Sequence, residues 1–260
     1  MPKNVTIVVP SFNSSKTLSY TIGSIINQTF TDWEAIIVDD CSTDNSVEVI
    51  QSLIELDSRI RLIRLSKNSG AAVARNTAIE VAQGRYIAFL DSDDLWLPNK
   101  LEKQLEFMQA NNHPFCFTAY DKIDENGQAL GHIGVPDKVS YSDLLKTCSI
   151  GCLTAMYDTE YFGKVTMPLI RKRQDLGLWL KLLKKTKYAY GLNETLAQYR
   201  VRPDSISANK ANAAKFTWRL YREVEGLNVF KASYYFSHYA VRGLLRTKAP
   251  GLARKLGVLK

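Results

Sequence analysis

The sequence predicts an α/β domain in which a mostly parallel sheet is flanked by helices. The chain has 260 residues, 45% of them hydrophobic, which is enough to bury one large core. Short β-rich runs alternate with helical patterns through the first half, as they do where helices connect parallel strands. Each candidate polar cluster follows a strand signal, and sheets of this class bind ligands beyond the carboxyl ends of their strands.

The first half carries four strand signals separated by helix signals. Strands are predicted at residues 5–10, 33–38, 60–65 and 86–90, and the first ends at Pro10, which has no N–H to continue a ladder. Helices are predicted at residues 16–27, after a cap at residues 42–44, and from Gly70 onward. Asp44 is more typical of a helix cap than of a ligand contact.

The fourth strand ends in three carboxylates, Asp91, Asp93 and Asp94, within four residues. Negative charges this close repel one another unless a cation or hydrogen-bond donors offset them. A hard divalent ion that also binds substrate phosphates would do so. The alternative is a solvated acidic loop that caps a helix.

The second half mixes shorter signals. A helix is predicted at residues 98–111 and an amphipathic helix at residues 176–185. Strands are predicted near residues 115–121, 131–135, 151–157 and 195–201, and two basic helices at residues 209–226 and 231–247 end the chain.

The net charge of +8 is concentrated in the tail. Residues 210–260 carry eleven Lys and Arg against two Glu, a net of +9, which leaves −1 for the preceding residues. This asymmetry favours an anionic partner for the tail: a membrane, a nucleic acid or a phosphorylated ligand.

Several classes of protein are disfavoured. No apolar segment approaches the ~20 residues that span a bilayer, and residues 1–4 lead directly into a strand, so we expect no signal peptide. The four cysteines lack CxxC spacing, which predicts reduced thiols in a cytosolic protein rather than a metal pair at Cys148 and Cys152. The two common phosphate-binding glycine motifs, GxGxxG and GxxxxGK[ST], are absent.

Five ordered segments resemble family 2 glycosyltransferases of the GT-A fold, over about residues 4–207. They are TIVVPSFN at residues 6–13, VDDCSTD at 38–44, NSGAAVARN at 68–76, DSD at 91–93 and QDLGLW at 174–179. Within the family, the chain looks most like bacterial enzymes that build O-antigen, capsule or teichuronic acid. The resemblance implies a Rossmann-like sheet and an inverting, metal-dependent enzyme. It would move a sugar from a UDP-sugar to a polyprenyl-pyrophosphate-linked glycan.

The same resemblance implies a domain organisation. Residues 1–207 would form the GT-A domain, with a nucleotide-binding half at 1–97 and an acceptor-binding half at 98–207. Residues 208–260 would form a basic helical tail.

The resemblance also implies roles in donor binding. Phe12 stands where relatives have a tyrosine that stacks on uracil; the alternative is a core residue. Asp40 would accept a hydrogen bond from the base, although Asp39 could equally serve, and Pro10 would shape the pocket. Arg75 resembles the arginine that reaches the nucleotide phosphates.

The metal and the base follow from the last two motifs. Asp93 would ligate Mn²⁺ or Mg²⁺ directly, while Asp91 would contact the ribose or the waters of the metal. Asp175 is the candidate catalytic base, which takes the proton of the acceptor hydroxyl. Its alternative role is the N-cap of the helix that follows.

Arg202 is a departure from the family pattern, because many relatives have a metal-binding histidine there. A guanidinium cannot ligate a cation, so Arg202 would bind the pyrophosphate or be a surface residue. We expect the three histidines, His113, His132 and His238, to be structural or exposed.

Aromatic side chains alternate with cations in the tail, which favours attachment to the anionic inner surface of the membrane. A cytoplasmic, peripheral enzyme is therefore expected. Packing of the tail on the core would also explain many of the aromatics. Nucleic-acid binding is disfavoured because no motif for it accompanies the charge.

Two rival functions remain open at this stage. A sugar-phosphate nucleotidyltransferase would need a glycine- and arginine-rich loop after the first strand, which residues 11–14 do not provide. A non-catalytic sugar-binding subunit would be expected to lack Asp93 or Asp175. Lys172 and Arg173 are interpreted as a solvated charge run rather than as contacts to an acceptor phosphate.

Overall fold

The computed structural model describes residues 4–202 and 210–255 of the chain. In these residues ten strands form one mixed sheet. The strands are β1 (Val5–Ser11), β2 (Trp33–Asp39), β3 (Ile60–Arg64), β4 (Tyr86–Phe89), β5 (Leu95–Trp96), β6 (Phe115–Ile123), β7 (Ala129–Ile133), β8 (Lys138–Val139), β9 (Met156–Asp158) and β10 (Ala189–Arg200).

Helices cover both faces of this sheet. They are α1 (Leu18–Ile26), α2 (Ser46–Leu56), α3 (Ala71–Val81), α4 (Lys100–Asn111), α5 (Tyr141–Lys146), α6 (Thr159–Phe162), α7 (Gln174–Leu183), α8 (Lys210–Arg219), α9 (Val229–Lys248) and α10 (Pro250–Lys255). A 3-10 turn (Cys152–Thr154) precedes β9, and a π-helical turn (Leu220–Val224) follows α8. None of the helices among the described residues is long and apolar enough to cross a bilayer.

The strand order along the main path is β3-β2-β1-β4-β9-β6-β10-β5. The first four of these strands are parallel, and β1 lies between β2 and β4 with Val5 opposite Trp33 and Tyr86. The direction of progression along the sheet therefore reverses beside β1. Loops on either side of such a switch point diverge and leave a crevice at the carboxyl ends of the strands.

The second half of the chain completes the same sheet. Strand β9 runs antiparallel between β4 and β6, and β10 pairs parallel with β6. The other edge of β10 pairs with β5, which belongs to the first 97 residues. The predicted division into halves at residue 97 stays a prediction, but the two segments share one continuous sheet.

The core has one layer on each face of the sheet, because successive strand side chains point to opposite faces. One layer contains Val8, Phe89 and Trp179 and is covered by α3, α5 and α7. The other contains Ile7 and Trp33 and is covered by α1, α2 and α4. These alternating contacts confirm the predicted α/β class.

The tail shares the first of these core layers. Leu220, Tyr221 and Ala232 are fully buried there, and the Tyr221 hydroxyl donates to the carbonyl of Leu145. Trp218, Tyr235 and Phe236 also pack against this layer, so the expectation that packing on the core explains many tail aromatics is confirmed for these three and for Tyr221. The domain boundary at residue 207 stays a prediction.

Some predicted elements differ from those observed. The strand expected at residues 151–157 is a 3-10 turn followed by the short β9, because the Thr154 hydroxyl and amide both donate to the carbonyl of Gly151. Strand β10 begins at Ala189, six residues before the predicted start, and its register with β6 shifts after Leu192. The polar pair at residues 193–194 hid this continuation.

Candidate active site

The loops after β1 and β2 are joined by hydrogen bonds. The Asp40 amide donates to the Ser11 carbonyl at 2.8 Å. The Asn13 amide donates to the Ser42 hydroxyl at 2.9 Å, and the Asn13 side chain accepts from the Thr43 amide at 2.8 Å. Asn13 has φ 48°, a left-handed conformation that asparagine tolerates better than most residues. These hydrogen bonds hold the two loops together beside the carboxyl ends of β1 and β2.

The acidic loop after β4 is fastened to the same assembly. The hydroxyls of Ser14 and Ser92 lie 2.7 Å apart, and the Thr17 hydroxyl donates to the Ser92 carbonyl at 2.8 Å. Asp44 accepts hydrogen bonds from the Ser46 amide and hydroxyl at the start of α2. Asn45 occupies the N-cap position of α2, so the expectation that Asp44 is the capping residue is wrong; Asp44 lies one residue earlier and holds the first turn through Ser46.

The structure distinguishes Asp39 from Asp40. The Asp40 carboxylate accepts the Ser69 and Gly70 amides at 2.6 and 2.7 Å, so both of its oxygens hold the loop before α3. Asp39 Oδ2 accepts the Ser42 amide at 3.0 Å, whereas its Oδ1 is buried without a partner among the described residues. Of the two carboxylates, Asp39 is thus the one with a free acceptor.

Three buried polar atoms without a partner among residues 4–202 and 210–255 lie in these segments. They are Ser11 Oγ, Asp39 Oδ1 and Arg75 Nε. An unsatisfied buried polar atom costs about 1–3 kcal/mol, so its presence in a folded protein calls for an explanation. A polar ligand in the crevice would provide the missing partners.

Phe12 follows β1 and is 47% exposed, which excludes the core role considered from the sequence. Pro10 is buried near the end of β1, the strand that leads to Phe12. An exposed aromatic face at the edge of a polar crevice is suited to stacking on a planar ring.

Arg75 pairs with Asp91 across the crevice. The guanidinium is only 6% exposed. Burial disfavours its charge, but the carboxylates of Asp91 and Asp175 raise its pKa above the ordinary value. Arg75 is therefore a permanent cation within electrostatic reach of both the acidic loop and the candidate base.

The acidic loop itself holds excess negative charge. Burial, together with the charge of Asp91, raises the pKa of Asp93, and the Arg202 guanidinium partly reverses this effect. Arg202 Nη1 lies 3.5 Å from Asp93 Oδ2. Arg202 is thus not an isolated surface residue, and the structure brings it together with the predicted metal ligand.

Asp94 and Arg200 organise this loop and were assigned no role from the sequence. Asp94 is buried and accepts the Arg200 amide at 2.9 Å. The Arg200 side chain donates to the carbonyls of Asp93, Asp124 and Glu125. Burial, followed by the charges of Asp93 and Asp91, raises the pKa of Asp94 well above its usual range. In the sequence, the signal that could have indicated this role was Asp94 itself, the third carboxylate of the acidic run.

Asp175 lies in the first turn of α7 and is half-buried. The alternative N-cap role is wrong, because Arg173 occupies the cap position. No hydrogen bond or ion pair engages the Asp175 carboxylate within residues 4–202 and 210–255. Its oxygens are therefore available to an incoming hydroxyl.

Arg173 contradicts the expectation of a solvated charge. Its guanidinium donates to the hydroxyls of Thr217 and Tyr239, at 3.1 and 2.6 Å. The helices predicted as a tail thus reach the residue that precedes the motif with the candidate base, and nothing in the local sequence of Arg173 indicates this distant partner.

The histidines behave as expected and lie away from the acidic loop. His113 stacks on Tyr190, with ring centroids 3.5 Å apart, and His132 lies 2.9 Å from an oxygen of Asp121. His238 contacts the ring of Tyr234. The four cysteines are free.

The acidic loop fits a divalent cation whose shell is completed by other ligands. In the described part of the chain, no group of three or more His, Cys, Asp or Glu side chains could hold a metal alone. Asp91 and Asp93 supply hard carboxylate oxygens, and a cation would offset the repulsion between these two neighbouring charges. Two carboxylates leave coordination places for phosphate oxygens.

The arrangement of the strands is found in solved structures. S. aureus TarS in complex with UDP-GlcNAc matches with a TM-score of 0.71 and 18% identity, over 96% of this chain and 75% of that chain. A Pyrobaculum calidifontis mannosyltransferase, PcManGT, in complex with GDP-Man and Mn²⁺ matches with a TM-score of 0.68 and 15% identity, over 99% and 81%. The fold is the GT-A fold of glycosyltransferases.

The family model described as Glycosyl transferase family 2 matches residues 6–159, and the chain belongs to this family. Its sequence is 51% identical to a Bacillus subtilis (strain 168) protein named for teichuronic acid biosynthesis, the glycosyltransferase TuaG, over 91% of this chain and 94% of TuaG. It is 40% identical to the Escherichia coli UDP-Glc:alpha-D-GlcNAc-diphosphoundecaprenol beta-1,3-glucosyltransferase WfgD, over 92% and 93%. The resemblance in the motifs is confirmed, and the protein is a glycosyltransferase.

Proposed function

We propose that this enzyme transfers a sugar, with inversion, from a UDP-sugar to a polyprenyl-diphosphate-linked glycan during synthesis of a bacterial surface polysaccharide. The observation that carries the proposal is the set of unpartnered polar atoms on Ser11, Asp39 and Arg75 beside the acidic loop. The names of TuaG and WfgD support the polysaccharide and the lipid-linked acceptor. O-antigen, capsule and teichuronic acid are the candidate products.

The donor is placed by groups from three loops. The uracil ring stacks on Phe12, and its N–H is accepted by Asp39 Oδ1, the carboxylate oxygen that has no partner among the described residues. Pro10 and Ser11 form the floor. Arg202, beside Asp93, donates to the diphosphate, and Arg75 keeps Asp91 in place.

Transfer moves one proton and replaces one bond of the anomeric carbon by another. Asp175 accepts the proton of the acceptor hydroxyl as that oxygen attacks the anomeric carbon from the face opposite the diphosphate. The bond from the anomeric carbon to the diphosphate oxygen breaks, and UDP leaves as an anion. Because Asp175 carries no other hydrogen bond among the described residues, its lone pairs are free for this proton.

Mn²⁺ or Mg²⁺ would be held by Asp93, with Asp91 contacting the ribose or the waters of the ion. When bound, a divalent ion supplies positive charge against the departing diphosphate. Arg202 and Arg75 supply permanent positive charge on the protein side of the same group. The P. calidifontis complex with Mn²⁺ supports this class of ion.

The test is UDP release from a panel of UDP-sugars, with a GlcNAc-diphosphate-lipid analogue as acceptor and Mn²⁺ or Mg²⁺ present. One donor is expected to support release, which is lost with a chelator and in Asp93→Ala. Asp175→Asn should abolish transfer and leave UDP binding nearly intact. Glu160→Gln, an exposed acid paired with Arg85 at the opposite end of β4, is the matched control. Normal turnover in Asp175→Asn would overturn the assignment of the base.

The enzyme also attaches to the anionic inner surface of the cell membrane, where its acceptor is held. The outer face of α9 exposes four large apolar side chains at helical spacing: Phe230, Tyr234, Val241 and Leu244. Phe230 is 87% exposed. The surplus of cations in residues 210–260 complements anionic lipid, which supports a membrane rather than a protein as the partner.

Deleting the tail would not test attachment, because it would remove the core residues Leu220 and Tyr221. The triple variant Phe230→Ser, Tyr234→Ser, Leu244→Ser changes only exposed side chains. It should no longer sediment with phosphatidylglycerol vesicles, while Tyr20→Ser, Leu56→Ser, which removes exposed apolar groups elsewhere, should sediment normally. Unchanged sedimentation of the triple variant would contradict attachment through α9.

A further inference from the structure

The helix that carries Asp175 begins at a constrained residue. Arg173 has φ 67°, and this left-handed conformation costs a non-glycine residue about 1 kcal/mol. Its carbonyl accepts the Gly177 amide at 3.0 Å, so the constrained residue sets the first turn of α7. Conformations of this kind persist only where the surroundings over-determine them.

The surroundings of Arg173 come from the two helices after residue 209. Its Nε donates to Thr217 Oγ1 of α8, and its Nη2 donates to the Tyr239 hydroxyl of α9. The guanidinium also lies over the Tyr239 ring, 5.5 Å from its centroid. Two hydrogen bonds and a cation–π contact fix both the position and the plane of the forked guanidinium group of Arg173.

These helices are themselves tied to the core at a second place. Glu225, whose side chain is 1% exposed, pairs with Lys184 at the end of α7 at 2.7 Å and accepts the Tyr141 hydroxyl. Helix α7 is therefore held by the C-terminal helices at both ends, through Arg173 at its start and Lys184 after its last turn.

The anchored residue is also electrostatically close to the candidate base. Burial, followed by the Asp175 charge, raises the pKa of the Cys148 thiol to about 11, and Arg173 and Arg246 act in the opposite direction. One thiol thus lies within reach of Asp175, of Arg173 and of an arginine on α9. The C-terminal helices therefore lie close to the turn that carries Asp175.

We propose that Arg173 is a positioning residue, which fixes the Asp175 carboxylate by locking the start of α7 against Thr217 and Tyr239. The proposal rests on Asp175 being the base. It makes α8 and α9 part of the catalytic apparatus in addition to the proposed membrane surface. The inner face of α9 holds Arg173 and so positions the base, whereas its outer face contacts the lipid.

Three substitutions at Arg173 separate the effect of its backbone conformation from the effect of its side chain. Arg173→Gly adopts φ 67° without strain but loses the fork. Arg173→Ala loses the fork and keeps the strain, and Arg173→Lys keeps a charge over the Tyr239 ring without two directed donors. Tyr239→Phe removes one hydrogen bond and keeps the ring. Arg171→Ala, at an exposed arginine of the same loop, is the matched control.

In Arg173→Gly we expect kcat to fall about 10- to 100-fold, because a base displaced by about 1 Å loses that much. The donor KM and UDP affinity should stay within about twofold, since the donor loops are unchanged. Arg173→Lys should recover part of the loss. The effects of Arg173→Gly and Tyr239→Phe should be non-additive, because both remove the same contact.

Wild-type kcat in a folded Arg173→Gly variant would overturn the proposal. Equal losses of kcat and of UDP affinity would also overturn it, since they indicate a general structural role. Asp175→Asn is measured in parallel. If that variant turns over normally, the base assignment fails and the role of Arg173 fails with it. If Asp175→Asn is inactive while Arg173→Gly is normal, only the positioning role is lost.

Discussion

The indole of Trp179 meets the ring of Phe89 edge-on, with centroids 5.5 Å apart and planes inclined by 74°. Phe89 ends β4 two residues before Asp91, and Trp179 lies one helical turn after Asp175. One aromatic contact therefore joins the element that carries the acidic loop to the element that carries the candidate base. The spacing of the two carboxylates depends on how this pair packs.

Trp179→Ala should destabilise the fold by about 3–5 kcal/mol, the usual cost of deleting a large buried aromatic. Trp179→Phe should cost clearly less, because it keeps a ring against Phe89 and removes an indole N–H that has no partner among the described residues. Urea unfolding followed by circular dichroism gives the comparison. Equal losses in both variants would show that edge-on packing at this site contributes little.

Asp39→Asn and Asp40→Asn should differ in what they impair. In Asp39→Asn the remaining oxygen can still accept the Ser42 amide, so stability is kept while UDP affinity falls about 10-fold through loss of one acceptor. Asp40→Asn retains one of two acceptors for the Ser69 and Gly70 amides and should lose about 1–3 kcal/mol of stability.

Calorimetric titration with UDP, paired with thermal unfolding, distinguishes these two carboxylates. The reverse pattern, with affinity lost in Asp40→Asn alone and unfolding unchanged, would return the base contact to Asp40.

Arg202→Ala should make the enzyme more dependent on metal. The guanidinium lies beside Asp93 and provides positive charge for the diphosphate even when little metal is bound. Without it, we expect the donor KM to rise about 10-fold, the scale of a charge-assisted hydrogen bond. The Mn²⁺ concentration that gives half-maximal turnover should also increase. Arg202→Lys keeps the charge and serves as control; equal Mn²⁺ requirements in the two variants would contradict this role.

The burial of Lys100 leads to a prediction of how the free energy of unfolding changes with pH. It is fully buried, 2.5 Å from Gln104 Oε1 and 4.1 Å from the centre of the Trp96 ring. Burial lowers its pKa from 10.5 to about 7. The unfolded chain therefore binds the extra proton between these values, and this site destabilises the fold progressively as pH falls from about 10.5 to 7.

Lys100→Met removes that titration. Relative to this variant, the wild type should gain up to about 1.4 kcal/mol per pH unit between pH 7 and 10. Urea midpoints measured for both proteins at pH 7, 8.5 and 10 isolate the contribution, because every other titrating group is shared. Parallel pH profiles would show that Lys100 is not desolvated in solution.

Local patterns were sufficient for the donor side of the fold. β1, β2 and β4 are short apolar runs that end at Ser11, Asp39 and Phe89, and a predicted site residue follows each of them within two residues, so each strand and its functional end lie next to each other in sequence. The helix that carries Asp175 was equally visible from its apolar spacing. Helix α5 also had a usable signal, a capping box between Ser140 and Asp143, that the sequence interpretation did not use.

Contacts between distant segments could not be predicted. Arg200 and Asp94 are 106 residues apart, and Arg173 and Tyr239 are 66 residues apart. In each pair, one member resembles an ordinary surface charge until the fold brings its partner to it. The role of Asp40 in holding the loop before α3 was hidden for the same reason, since its partners are backbone amides, which no side-chain pattern reveals.

The insertion of β9 between β4 and β6 has a consequence for synthesis. Three βα units can assemble as they leave the ribosome, but the outer edge of β4 stays unpaired until residues 156–158 emerge. At ordinary translation rates this interval lasts roughly 3–14 s, during which an apolar strand edge is exposed to neighbouring nascent chains. Released chains that end at residue 150 should therefore depend on chaperones much more than released chains that end at residue 175.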